Sequence, residues 1–226
     1  VIQTKKSMRE TMKYNPCYYQ LREGQLQRIL SIIQQTKIAL EGGVIFFGDS
    51  ITEMYNIEHY YQDISIKYNC GVGGATSNEL LWICDEAVIK YQPKVVVMMI
   101  GINDLGNTVM LSPKEIAVNI KNIIDLIRGN CPQTQILLLS TLPCVESLRS
   151  YHQVPGIRCN DLVEMIYQQC QDIIIDPKTR FVSIFEEFID ENKEALIEYY
   201  QDGLHLNELG YEKLTRLIKP IIQEYI

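Results

Sequence analysis

Val95-Val96-Val97-Met98-Met99-Ile100 is apolar at every position, with Pro93-Lys94 before it and Gly101-Ile102-Asn103-Asp104 after it. A strand with one wet face alternates apolar and polar residues. A run without alternation belongs to a strand covered on both faces. Working outward, apolar runs of strand length recur at Val44–Phe47, Gln135–Ser140 and Arg180–Ile184, with a weaker one at Ile64–Cys70. Between them the spacing predicts helices over about Leu21–Thr36, Ser77–Lys90, Ser112–Arg128, Ile157–Cys170 and Asn207–Glu224. The helix after Ser112 has the firmest start: Ser112 as N-cap, Pro113 in the first position, Glu115 completing a capping box. Ile116, Ile120, Ile123, Ile124 and Ile127 then mark one face. Asn207 caps the last helix, whose apolar face is Leu214, Leu217, Ile218, Ile221 and Ile222. Strands alternating with helices predict an α/β fold, a parallel sheet with helices on both sides.

In such sheets ligands bind beyond the carboxyl ends of the strands. Ser50 follows the first strand, Gly74 the second, Asn103 the third and Leu142-Pro143-Cys144 the fourth. Asp202 and His205 follow the fifth after a short helical insertion. All the chemically capable residues therefore fall on one edge.

The chain's 226 residues suit one large domain, residues 1–226, in which residues 1–40 form an N-terminal segment and helix packing on the core. No internal repeat or low-complexity linker interrupts it. A net charge of −7 with scattered Lys and Arg argues against a nucleic-acid partner. No apolar run reaches the length of a membrane span, and Val1–Lys6 lacks the apolar stretch of a signal peptide. Seven cysteines without a CxxC or a neighbouring histidine fit free thiols in a reducing cytoplasm, and supply no metal site. No cofactor is expected: Gly71-Val72-Gly73-Gly74-Ala75-Thr76 lacks the third glycine of a dinucleotide fingerprint, and there is no P-loop. No GxSxG frames any serine.

Ser50 has two compatible readings. Ser50-Ile51-Thr52-Glu53 fits a capping box, and a serine at a helix start also exposes its own N–H to a developing oxyanion. A serine nucleophile needs a base near neutrality, and His205 has a carboxylate, Asp202, three residues before it. Asp202 could hold the ring's Nδ1–H and leave Nε2 to Ser50. The plain alternative is a surface turn at Asp202-Gly203 with an incidental histidine. His152 is the rival base, without a carboxylate close in sequence. The Asn103 amide and the Gly74 N–H are candidate oxyanion donors, though Asn-Asp and glycine clusters also serve as turn chemistry.

Four blocks carry a resemblance: Gly48-Asp49-Ser50-Ile51, Asn69-Cys70-Gly71-Val72-Gly73-Gly74, Gly101-Ile102-Asn103-Asp104 and Asp202-Gly203-Leu204-His205. Together they resemble the SGNH hydrolases, the GDSL esterase/lipase family. The second block, with Trp82 downstream, is similar to the platelet-activating-factor acetylhydrolase-like branch. The resemblance implies a flavodoxin-like three-layer α/β/α sandwich with a five-stranded parallel sheet and metal-free ester hydrolysis. It assigns Ser50 as nucleophile, His205 as base and Asp202 as its orienter, with Ser50 N–H, Gly74 N–H and Asn103 as the oxyanion hole. One departure is Ala75, where many relatives carry Asp and so gain a loop hydrogen bond.

The expected reaction is hydrolysis of short acyl esters, acetyl among them, through an acyl-enzyme. The loops Leu105–Leu111 and Leu142–Pro155 are short and suggest an open cleft, with Asp49, Leu105, Leu142 and Tyr200 as substrate-binding residues. A carbohydrate O-deacetylase, with Tyr199-Tyr200 stacking on a sugar, and a lysophospholipase or thioesterase are variants. A non-catalytic ligand-binding module is the alternative from another class. A homodimer stays open.

Overall fold

The computed structural model describes residues 22–106, 110–149 and 158–226. Its sheet contains β1 (Val44–Gly48), β2 (Lys67–Gly71), β3 (Val95–Met99), β4 (Gln135–Leu139) and β5 (Thr179–Val182). All pairings are parallel, in the order β2-β1-β3-β4-β5. This is the flavodoxin-like doubly wound order, whose switch point lies between β1 and β3. The helices are α1 (Glu23–Thr36), α2 (Ser50–Glu53), α3 (Ile57–Tyr60), α4 (Ser77–Ala87), α5 (Pro113–Asn130), α6 (Glu146–Arg149), α7 (Asn160–Ile173) and α8 (Glu208–Gln223).

Period-2 side-chain direction splits the sheet's residues between two cores. Ile45, Phe47, Val96, Met98, Ile136 and Leu138 pack with apolar residues of α1, α4, α5 and α7. Phe46, Val97, Met99, Leu137 and Leu139 pack with Ile51, Ile57 and the α8 face Leu214, Ile218 and Ile222. Each such side chain, fully buried, contributes about 1.5–3 kcal/mol. The two layers explain why β1 and β3 are buried along their whole length.

Two strands differ from expectation for identifiable reasons. β2 begins at Lys67, because Ile64 closes a turn on Tyr61 O and is buried in the second core. β5 ends at Val182, because Ser140 Oγ accepts the N–H groups of Ile184 and Phe185 and draws them off the ladder. α4 stops at Ala87, and a 3₁₀ turn over Ile89–Tyr91 runs into Gln92 at φ +44°. α7 starts at Asn160, whose amide bonds both the N–H and the C=O of Cys144 and ties the helix to the segment after β4. Residue 157, His152 and Cys17 lie outside the described residues, as do parts of both loops expected to border the cleft.

The six described cysteines are free. Burial pushes the thiols of Cys70, Cys84, Cys144 and Cys170 up to about 12. Among the described residues no helix is long and apolar enough to cross a membrane, and no group of three metal-ligating side chains forms.

Candidate active site

β1 ends on Gly48, level with Gly71 of β2 and Met99 of β3. A Cβ at Gly48 would lie 2.4 Å from Met99 O and from Thr52 Oγ1, so the chain can turn here only as glycine. Asp49, buried, is the N-cap of α2, with Oδ1 accepting from Ile51 N at 3.0 Å. This corrects the expected capping box: Ser50 is the first helical residue and Glu53 does not reach back to cap. The Ser50 hydroxyl is left for another partner. Burial pushes the Asp49 carboxyl up to about 6, against the Ile51 bond and the nearby His205 and Arg158.

That partner is His205. Its Nε2 lies 2.9 Å from Ser50 Oγ, and its Nδ1 lies 2.8 Å from Asp202 Oδ2. The Asp-x-x-His spacing works through one carboxylate with two tasks. Asp202 Oδ1 accepts the N–H groups of Leu204 at 3.0 Å and His205 at 2.8 Å, closing the turn, while Oδ2 faces the ring. Gly203 supplies φ +83°, and Gln201 N donates to His205 O across the base of the loop. The surface-turn reading and the base-orienting reading thus describe the same residue. Burial raises the Asp202 carboxyl, but the His205 and Leu204 bonds outweigh it and hold it down at about 2.

Asn103 is buried beyond the end of β3. Its Oδ1 accepts from the Arg158 guanidinium at 3.1 Å, and its Nδ2 donates to Ala75 O at 3.1 Å. A guanidinium only donates, so the amide has one permitted orientation, with its NH₂ beside the glycine turn. Gly74 lies in that turn at φ +72°, in the left-handed region that glycine favours. Asp104 points elsewhere. It accepts from the N–H and hydroxyl of Ser77 and anchors the start of α4. Burial pushes Asp104 up to about 6, against those Ser77 bonds.

The residues expected to bind substrate are interior. Asp49, Leu105, Leu142 and Tyr200 expose 1%, 0%, 1% and 7% of their surface. Asp49 caps α2, and the Tyr200 hydroxyl donates to Pro143 O at 2.6 Å. Tyr199 packs edge-on to Phe188 with the Lys213 ammonium 4.7 Å from its ring centre, so both tyrosines are engaged by protein. Arg158, Glu53, Asn69 and Arg28 surround the site and were given no role from the sequence. Two of them left a signal: Glu53, in a Ser-x-x-Glu spacing whose cap position is already filled by Asp49, and Asn69, which opens the second resemblance block. A cavity of about 400 Å³ lined by Gln92, Lys94, Gln133 and Lys178 lies at the opposite, amino-terminal edge of the sheet. The hydrogen bonds of the three residues, not cavity size, locate the site.

A family model, GDSL-like Lipase/Acylhydrolase family, matches residues 46–213, and the chain belongs to that family. It is an ester-bond hydrolase. The chain is 26% identical over 190 residues to platelet-activating factor acetylhydrolase IB subunit alpha1 of Bos taurus, covering 80% of this chain and 75% of that one. Among solved structures, a Streptococcus pneumonia protein provisionally described as a platelet activating factor superposes with a TM-score of 0.80 at 28% identity, covering 88% of this chain and 93% of that one. A GDSL-like lipase from Bacteroides thetaiotaomicron shares the fold, with a TM-score of 0.74 at 23% identity over 88% of this chain and 98% of that one.

Proposed function

We propose that this chain is a serine esterase that hydrolyses short acyl esters, acetyl esters foremost, through an acyl-enzyme and without a metal. The observation that carries the reading is the unbroken relay from Ser50 Oγ to His205 Nε2 and from Nδ1 to Asp202. His205 takes the Ser50 proton as Oγ attacks the ester carbonyl carbon. The carbonyl oxygen becomes an oxyanion, met by the Ser50 and Gly74 N–H groups and the Asn103 amide. His205 then gives its proton to the departing alkoxide, leaving acyl-Ser50. Water attacks that ester with His205 again as base. Collapse releases the carboxylic acid and restores the serine. Asp202 stays ionised throughout and keeps Nδ1 protonated.

The acetyl preference is supported by relatives named as platelet-activating factor acetylhydrolase subunits and by an acetyl xylan esterase of the same fold. The sugar-stacking variant loses its motivating residues, since Tyr199 and Tyr200 are engaged within the protein. The free thiols favour a reducing compartment such as the cytoplasm. A panel of p-nitrophenyl esters of graded acyl length, run with and without chelator and beside fluorophosphonate labelling, tests the reading. Fastest turnover of the acetyl ester, no chelator effect and label on Ser50 are expected. No label and no turnover would instead favour a ligand-binding module.

A further inference from the structure

Glu53 lies one helical turn beyond Ser50 on α2, yet its carboxylate serves a different element. Oε2 accepts the backbone N–H of Gly73, in the turn that carries Gly74. Behind it stands Arg28 of α1, with Nε 3.7 Å from Glu53 Oε1. The same guanidinium donates to Gly71 O at 2.8 Å and to Asn69 O at 2.7 Å. Asn69 completes the circuit. Its Nδ2 donates to Thr52 O at 2.7 Å and Tyr55 O at 3.0 Å, and its Oδ1 accepts from Gly71 N at 2.9 Å. The segment around the nucleophile and the glycine turn are thereby held to each other by side chains. A Cβ at Gly73 would meet Glu53 Oε2 at 2.9 Å, so the carboxylate fills the space a side chain would need.

Donors to an oxyanion act fully only if they are fixed before the charge develops. Ser50 N–H and Gly74 N–H come from different elements, and the second lies on the peptide between two residues, Gly73 and Gly74, with wide backbone freedom. A charge-assisted bond on Gly73 N–H removes that freedom at the neighbouring peptide. We infer that Glu53 is a positioning residue for the oxyanion turn and Arg28 its counter-charge. Helix α1 precedes the family match, which begins at residue 46, and so joins the catalytic apparatus from outside the matched region. The inference rests on the proposed roles of Ser50 and Gly74; neither Glu53 nor Arg28 gains or loses a bond to substrate.

The test uses the full chain with Glu53→Ala, Glu53→Gln and Arg28→Lys, and reads both kinetics and the Gly73 amide resonance in ¹⁵N-glycine-labelled protein. Glu53→Ala is expected to lower kcat about 10²-fold with KM nearly unchanged, the scale of a mis-set catalytic geometry. The loss should be equal for acetyl and longer esters. Glu53→Gln should recover most of it, because its carbonyl still accepts from Gly73 N–H. Arg28→Lys, which loses the forked donor, should cost about tenfold. The Gly73 amide proton should move upfield in Glu53→Ala and less in Glu53→Gln. A Gly73 resonance unmoved by Glu53→Ala, a fall in Tm with kcat intact, or Gln no better than Ala overturns the inference. If Glu53→Ala does not fold, the Gln and Lys variants decide by the same two readouts. An unreactive wild type would instead sink the esterase reading, while the Gly73 shift still reports whether Glu53 holds the turn.

Discussion

Among the described residues Ser50 makes its only side-chain bond to His205, since Asp49 does the capping. Ser50→Ala should therefore abolish ester turnover and fluorophosphonate labelling and shift Tm little. His205→Ala should be as damaging, and the double variant no worse than either, because members of such a relay act as a unit. Substantial turnover in Ser50→Ala would remove it from the nucleophile role. Asp202→Asn keeps an acceptor for the turn but sets an NH₂ or a neutral oxygen against Nδ1; kcat should fall by about 10⁴-fold with the fold retained. The Asp202 carboxyl is held at about 2, below its ordinary 3.8. Its contribution to stability is present above that ordinary value and is lost as pH falls through about 2. Asp202 thus remains ionised across the working range and gives activity no acid limb near neutrality. Asn103→Ala should lower kcat about 10²–10³-fold, the cost of one oxyanion donor. It should also cost about 1–3 kcal/mol of stability, because Arg158 and Ala75 O lose a buried partner. Normal kcat with lowered Tm would leave Asn103 a structural role alone. The three relay residues were legible because local spacing and strand ends announced them. Arg158 was not: its meeting with Asn103 joins positions 55 apart, and a lone loop arginine has no pattern.

Elements were legible where periodicity alone decides them. β1, β3 and α5 lie within a residue or two of expectation because an unbroken apolar run, or Ser112 with Pro113 and Glu115, needs no tertiary help. β5 was overextended because nothing in its residues reveals that Ser140, just past the end of the neighbouring strand, claims the N–H groups of Ile184 and Phe185. Asp104 shows the same limit. As a sequence feature it is half of an Asn-Asp turn; in the structure it secures the start of α4 through Ser77. Its folded value of about 6 lies above the ordinary 3.8. For a carboxyl raised on folding, the contribution to stability is full below the ordinary value and is lost as pH rises through the folded one. Asp104→Asn cannot ionise, so its Tm deficit against wild type should shrink between pH 4 and pH 7, about that window. A deficit that grows with pH would mean the carboxylate is stabilised as an anion by Ser77 instead. Catalysis in this variant should be far less affected than in Asn103→Ala, since Asp104 faces α4.

On the scale of the whole molecule, the sheet divides the interior into two cores and the surface carries an exposed indole. The chain's single tryptophan, Trp82, is 70% exposed on α4. Its emission in the native state should match that of a hydrated indole and change little when urea unfolds the chain, so far-ultraviolet circular dichroism is the better probe of unfolding. If copies associate through this helix, the emission will move to shorter wavelength as concentration rises, as mass action requires. We expect it to stay constant if copies associate through another face or not at all, and sedimentation over the same concentrations will give the assembly state independently.

The bond between Ser50 and His205 spans 155 positions. A ribosome delivers the serine 155 residues before the histidine. α8 follows still later, with Tyr211 donating to Ile51 O and Thr215 bonding Tyr55 just beyond α2. Contacts of such separation form last and slowly. A nascent polypeptide that has not reached His205 therefore lacks the Ser50–His205 bond. Any premature termination before His205 yields a product that displays Ser50 without the imidazole that bonds it.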